Sequence, residues 1–248
     1  MSTARKPAAA PLSAYVLHRW DWSESSLIVE LFTRERGRLA VAAKGAKRPY
    51  SQLRPVLIPF QRLWVQLGKA PADEAAEVHL LRSAERAEGP PMPGGGALFA
   101  GFYLNELLLK LMARDDPHPG LYGHYEEALA TLRDGQPASL VLRRFERRML
   151  AELGYALVLA HDVHGEPVQP QRTYCYVFER GPLDVEEGVP DAESPEVSGQ
   201  ALLDMERDEY ADAATLQQAK ALMRYVVNRY LGGKPLHTRQ LLREMQQL

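Results

Sequence analysis

Cysteine is almost absent from this chain: Cys175 is the one thiol in 248 residues. A lone cysteine makes no internal disulfide, so the fold must rest on buried apolar surface, and the chain is long enough to bury it as one large domain or two small ones. Long apolar runs are missing too. The richest stretch, 104–113, is broken by Asn105, Glu106 and Lys110, well short of the ~20 apolar residues that a membrane-spanning helix needs. The first thirty residues contain no apolar segment followed by a small-residue cleavage site. A soluble, cytoplasmic protein is expected, with no membrane contact. Catalytic signatures are equally scarce. The chain has no GxxxxGK[ST] phosphate loop, no GxGxxG after a strand, no GxSxG elbow and no HExxH pair. With these absent, no catalytic residue and no cofactor is expected.

Net charge is also small, −2, but it is unevenly placed. Residues 1–88 hold 14 Lys and Arg against 9 Asp and Glu, whereas the remainder holds 16 against 23. The excess is sharpest between 34 and 54, where Arg34, Arg36, Arg38, Lys44, Lys47, Arg48 and Arg54 face only Glu35. Such a local excess suits phosphate, although a solvated loop face would look the same.

Residues 1–12 show neither apolar period nor turn chemistry and read as a flexible arm. From 13 to 87 the pattern is that of short strands: SAYVLHRW, SLIVELFT, GRLAVAAKG, VLIPFQRLWVQL and AEVHLLRS. Ile28, Glu30 and Phe32 alternate with the residues between them, as do Leu63, Val65 and Leu67, so one face is expected in a core and the other available. Five strands in this span fit an OB-fold barrel, with an SH3-like barrel as the alternative. The segment EGPPMPGGG at 88–96 ends that domain.

Helical periods follow, at 97–113, at about 120–133, and from Pro137 or Ser139 to Gly154, with Ser139 as the expected N-cap. On this third helix Leu142, Phe145, Met149 and Leu153 fall within about 80°, and Arg143, Arg144, Arg147 and Arg148 span about 140° opposite. These arginines are expected to face solvent or a partner. Residues 161–197 lose the helical period and read as a separate small lobe with an exposed acidic loop from 183 to 197. Helices resume at Ser198, the strongest running from about Asp212 to Leu231 and ending at Gly232 and Gly233, with a last short one from Thr238. The helical domain is therefore discontinuous, 97–160 plus 198–248. The whole is expected to be α+β.

Two constellations carry possible chemistry. His161, His164 and Cys175 offer three zinc ligands, but a structural site wants four and no second ligand pair follows, so no metal is expected. Phe32, Tyr50, Phe60 and Trp64 lie among the basic residues of the barrel, the combination that OB grooves use to stack bases while cations follow the backbone. Phe32 and Phe60 fit the core better. Tyr50, in the turn-rich KGAKRPYS loop with Lys44, Lys47 and Arg48, is expected to be exposed.

Four blocks in order resemble the bacterial RecO family of recombination mediators. They are AYVLHRWDWSESSLIVELFTRERGRLAVAAKGAK near the start, YLNELLLKL at 103–111, FERRMLAELGY at 145–155, and YLGGKPLHTRQLLRE at 230–244 with Lys234, Leu236, Thr238 and Arg239. The resemblance implies an N-terminal OB-fold, a helical domain and a zinc-finger-like insert. In many members that insert carries two CxxC pairs; here His161 and His164 stand where the first pair would, the second is missing, and a degenerate, metal-free insert is implied. It further implies binding of single- and double-stranded DNA, annealing of complementary strands, and pairing with RecR. It implies contact with the acidic, apolar C-terminal tail of the single-strand DNA-binding protein (SSB), loading of RecA in the RecF pathway, and a place at the nucleoid.

The readings that compete are a DNA-binding mediator using Arg34 to Arg54, an interaction adaptor for acidic partners with incidental DNA contact, and a zinc hydrolase on the His161, His164 and Cys175 set. The arginines of 143–148 are the expected place for the SSB tail or for an extension of the DNA path.

Overall fold

The computed structural model describes residues 10–68, 77–88, 94–189 and 191–245. Most of the expected N-terminal arm and the Pro-rich centre of the 88–96 boundary lie outside the described residues. The chain divides into two compact units: Met1–Gly94 with Asn105–Tyr122, and Gly95–Leu104 with Gly123–Leu248.

The first unit is built on strands β1 (Leu12–Asp21), β2 (Leu27–Thr33), β3 (Gly37–Ala43), β4 (Leu63–Leu67) and β5 (Val78–Arg86). They close in the order β1-β2-β3-β5-β4, with β4 returning to β1 and β3 pairing with β5 in parallel. That order is the Greek-key OB arrangement, which decides between the two barrels. Alternate residues such as Ala14, Val16, Val29, Leu31, Leu39, Val41, Leu63 and Val65 point inward and form the barrel core. The fourth strand starts later than its apolar run suggests. Between Val56 and Phe60 the chain bends and turns, Phe60 adopting a φ of 64°, and Pro59, without an N–H, makes only an isolated bridge to Val16.

The second face of β2 is not available, contrary to the sequence expectation. Glu30 and Phe32 are fully buried there by residues 105–122. Phe32 packs on Tyr122 with ring centroids 5.3 Å apart, and the Ser13 and Tyr122 hydroxyls are 2.9 Å apart. Asn105 enters the same layer. Its amide donates to the carbonyls of Val16 (3.4 Å) and Leu17 (3.0 Å), beside the irregularity in the β1–β2 register. Gly37 is required at the β2–β3 turn, since its φ is 68° and a Cβ there would lie 1.9 Å from the Asp116 carbonyl oxygen.

The second unit contains helices α1 (Gly96–Leu111, in part), α2 (Pro119–Arg133, in part), α3 (Ala138–Glu152), α4 (Gly199–Glu206), α5 (Ala213–Tyr230) and α6 (His237–Met245). It also holds β6 (Thr173–Val177), β7 (Gly181–Asp184) and β8 (Glu196–Ser198), paired in the order β7-β6-β8. Helix α3 starts earlier than an N-cap at Ser139 would place it: Pro137 stands at the N-cap with no side-chain bond, as its fixed φ permits. Helix α5 is framed as its sequence suggests. Asp212 accepts from the Thr215 N–H at 3.0 Å, and Gly232 and Gly233 end the helix with φ of 59° and 76°. Asp212→Ala is expected to cost about 1 kcal/mol of stability, read as a lower midpoint in urea unfolding with unchanged m-value.

Residues 161–197 are not a separate lobe. Val168, Tyr174, Tyr176 and Val197 share one core with Leu150, Leu202, Leu222 and Val226 from α3, α4 and α5. Nor are the acids of 183–197 simply an exposed loop. Asp184 is buried, accepts from the Glu186 N–H and pairs with Arg172 at 2.8 Å, while Asp191 accepts from the Tyr225 hydroxyl at 2.7 Å and pairs with Arg229. The backbone N–H of Glu186, with Arg172, holds the Asp184 carboxyl below the usual carboxylate range.

Candidate nucleic-acid interface

The basic residues of 34–54 separate into two sets. Arg36 and Arg38 are both held by carboxylates. Arg36 pairs with Asp115 at 2.6 Å, and Arg38 donates to the Met112 carbonyl at 3.0 Å and to Glu30 at 3.3 Å. Glu30, fully buried, also accepts from Arg114, whose second arm reaches Glu77 at 2.8 Å. A buried carboxylate needs such partners, because an unpaired charge in the interior costs several kcal/mol. Arg38, held by the buried Glu30, is not available to follow a nucleic-acid backbone, whereas Arg36 sits in a solvent-exposed ion pair and remains part of the basic surface.

Lys44, Arg48, Tyr50 and Arg54 form the second set, on the loop between β3 and β4. All four are exposed, Tyr50 at 98%, and Arg34 is exposed at the β2–β3 turn. The loop is nevertheless fixed. Ala46 and Leu57 plug it into the barrel core, and its own turns close through Arg48 N–H to Gly45 O at 3.1 Å and Ser51 N–H to Arg48 O at 3.1 Å. Tyr50 sits at a φ of 65°, which turns its ring outward at the tip.

This loop lies against the one joining β1 to β2. The Lys47 N–H donates to Ser25 O at 3.0 Å, and its ammonium donates to Ser23 O at 3.1 Å and pairs with Asp21 at 2.9 Å. Lys47 is therefore a clamp between the loops as well as a surface charge. The same junction brings in two residues that sequence patterning does not single out: Trp20 and Trp22 are 43% and 57% exposed. Trp20 meets the His18 ring at 4.5 Å, edge on, and burial followed by the charge of Arg19 pushes the His18 pKa down, so this imidazole is neutral near pH 7. Two exposed indoles two residues apart, next to the Lys47 clamp, leave apolar surface that a partner could cover. The signal that could have found them is W-D-W at a strand end, two aromatics on one pleat face. Phe32 and Phe60 are buried in the core, and Trp64 is 42% exposed on β4 with the Arg62 guanidinium 5.9 Å from its ring.

In the second unit the four arginines of α3 do not share one exposed face. Arg143 is buried. Its guanidinium binds the fully buried Glu146 at 2.6 Å, and the Tyr103 hydroxyl donates to the same carboxylate oxygen at 2.5 Å. Arg239 in turn donates to the Tyr103 oxygen at 2.7 Å and lies over that ring. Burial, then the Glu146 charge, keeps the Tyr103 phenol protonated far above neutrality. The reason lies on the helical wheel: Leu150 and Glu146 are also buried, so the buried arc of α3 runs well past the apolar stripe and takes in Arg143. Arg147 reaches Glu206 O at 3.1 Å, Arg144 pairs with Asp208 at 3.1 Å, and Arg148 pairs with Glu127 at 2.7 Å.

His161, His164 and Cys175 are not brought together. His164 pairs with Glu187 at 2.9 Å, His161 bridges to Pro167, and the buried Cys175 thiol, its pKa raised by desolvation, has the Leu183 and Gly188 carbonyl oxygens as alternative acceptors at 3.6 Å. Among the described residues no group of three or more His, Cys, Asp or Glu could hold a metal ion, and no helix is long and apolar enough to cross a membrane.

A closed OB-type barrel with a pinned, basic and tryptophan-flanked loop pair, continued by a helical unit, places the chain among OB-barrel proteins with an appended helical domain. The chain belongs to the RecO family of DNA repair proteins: the family Recombination protein O N terminal matches residues 11–84, and Recombination protein O C terminal matches 94–240. Among similar proteins, the DNA repair protein RecO of Nitrosospira multiformis is 48% identical over 239 residues, 95% of each chain. That of Azoarcus sp. is also 48% identical, over 95% of this chain and 96% of its own. That of Burkholderia lata is 49% identical over 236 residues, 95% of this chain and 82% of its own.

Proposed function

We propose that this protein is a non-catalytic strand-handling mediator of recombination, acting in the cytoplasm at the nucleoid. It binds single- and double-stranded DNA on the surface made by the β1–β2 and β3–β4 loops. The observation that carries this reading is that the loop bearing Lys44, Arg48, Tyr50 and Arg54 is hydrogen-bonded to the β1–β2 connection, where Trp20 at the end of β1 and Trp22 stand exposed. Cations neutralise phosphates without regard to sequence, and indole faces stack any base, so the surface suits strands that must be held and exchanged rather than read. Annealing needs charge neutralisation and base presentation and no acid, base or nucleophile.

In this reading the protein pairs with RecR, accelerates annealing, and helps RecA replace SSB. Arg144 and Arg148 are the better part of the α3 set for the SSB tail. Both are partly exposed and already hold carboxylates, which an acidic peptide would exchange.

Trp22→Ala is expected to weaken single-strand binding about ten-fold, within the 1–3 kcal/mol of a base–aromatic stack, while leaving the salt dependence unchanged. Fluorescence anisotropy across a salt series measures both. Wild-type affinity in this variant would remove Trp22 from the interface.

A further inference from the structure

A cavity of about 810 Å³ opens in the second unit against one side of α5 and the turn that follows it. Its rim is cationic. Lys220 and Arg224 stand one helical turn apart, Asn228 follows a turn later, and Lys234 comes just after the Gly232–Gly233 turn, whose Lys234 N–H closes on Leu231 O at 3.2 Å. Glu193 is the one acid among the lining residues. Arg229, also in the lining, is already neutralised by Asp191 at 2.9 Å. Lys220 and Lys234 are exposed and have no carboxylate partner among the described residues.

We propose that this cavity is a second strand-binding site, taking the sugar–phosphate backbone of single-stranded nucleic acid. This rests on the strand-handling function proposed above and adds a separate place for it. An i,i+4 pair on a helix is displaced by about 6 Å along the axis, close to the spacing of successive phosphates on an extended strand, so Lys220, Arg224 and Asn228 present donors in step with a backbone. Gly232 and Gly233 leave open space where a Cβ would stand, which lets a strand approach the main chain beside Lys234. An acidic peptide with an apolar end is the competing occupant, and the walls favour it less. Tyr225, the one aromatic residue in the lining, is 6% exposed with its hydroxyl bound to Asp191, so there is no open apolar socket for a peptide anchor.

Lysine footprinting tests this on the wild-type protein, where Lys44 reports the barrel and Lys220 and Lys234 report the cavity in the same sample. Acetylation is followed by mass spectrometry with oligo-dT, with an Asp-rich peptide ending in Phe, and with inorganic phosphate. Oligo-dT protecting all three lysines at concentrations where phosphate and peptide protect neither cavity lysine is the expected result. Lys220→Ala with Lys234→Ala is then expected to lower the salt slope of single-strand binding by about 0.7 for each phosphate no longer neutralised. Protection of Lys44 alone overturns the second site and leaves the barrel reading standing. Protection of Lys220 and Lys234 by the peptide or by phosphate but not by DNA overturns it in favour of that ligand. If DNA protects none of the three, both proposals fail together.

Discussion

Arg143→Ala is expected to lower the stability of the helical unit by about 3–5 kcal/mol, the cost of leaving a buried carboxylate without its counter-charge. Glu146 has no exposed surface, and Arg143 supplies its guanidinium partner at 2.6 Å. Tyr103 continues to donate to the carboxylate, but a neutral hydroxyl offsets only part of a desolvated charge. Arg147→Ala, one turn along the same helix, is the control. Its partner Glu206 is half exposed, and such pairs contribute about 1 kcal/mol or less. Urea unfolding followed by circular dichroism separates the two variants. Adding Glu146→Gln to Arg143→Ala is expected to recover part of the loss, because it removes the stranded charge. Equal, small effects for Arg143→Ala and Arg147→Ala would mean that Arg143 is a surface residue after all.

The second large effect concerns DNA. Replacing Lys44, Arg48 and Arg54 together by Ala is expected to weaken single-strand binding about a hundred-fold at moderate salt and to reduce the salt slope by about 2, or ~0.7 per neutralised phosphate. The three side chains are exposed and have no carboxylate partner among the described residues, so their removal leaves no buried group unsatisfied and the fold intact. Arg36 and Arg38 behave differently. Substituting Arg38 takes a partner from the buried Glu30, and its first consequence is lower stability of the barrel unit, whereas the Arg36–Asp115 pair is exposed on both sides and contributes about 1 kcal/mol or less. A titration of affinity against salt, paired with a thermal melt, distinguishes the two classes of arginine.

Local periodicity is visible in the sequence and long-range pairing is not. The alternation in β1, β2 and β3 and the caps of α5 at Asp212 and Gly232 are legible because each depends on neighbours within a few residues. The parallel pairing of β3 with β5 is not, since it joins residues about forty apart around a loop whose ends carry no sign of it. The same limit explains Arg143, Asp184 and Asp191. A charged side chain reads as solvent-facing until its partner is known, and these partners, Glu146 excepted, come from elsewhere in the chain. Glu146, three residues on, is within reach of a helical-pair argument, but its charge assigns it to the polar face. Trp20 and Trp22 are hidden because strand aromatics are usually core, and only the structure reveals that the end of β1 emerges from the barrel into water.

The basic span from Arg34 to Arg54 is thus part scaffold and part surface. Arg38 ties β3 to the buried Glu30 and to Met112, and Lys47 clamps the loop that presents Lys44, Arg48 and Arg54. A loop already closed by its own hydrogen bonds and packed on the barrel core has less to order when a strand binds.

Annealing of complementary oligonucleotides, bare and coated with SSB, is the measurement closest to the central claim. The purified protein should accelerate annealing on both substrates without added nucleotide or metal, and the Lys44, Arg48 and Arg54 variant should lose most of that acceleration while remaining folded. A wild-type protein that binds an SSB-tail peptide yet leaves the annealing rate of both substrates unchanged would contradict the strand-handling account and identify an adaptor instead.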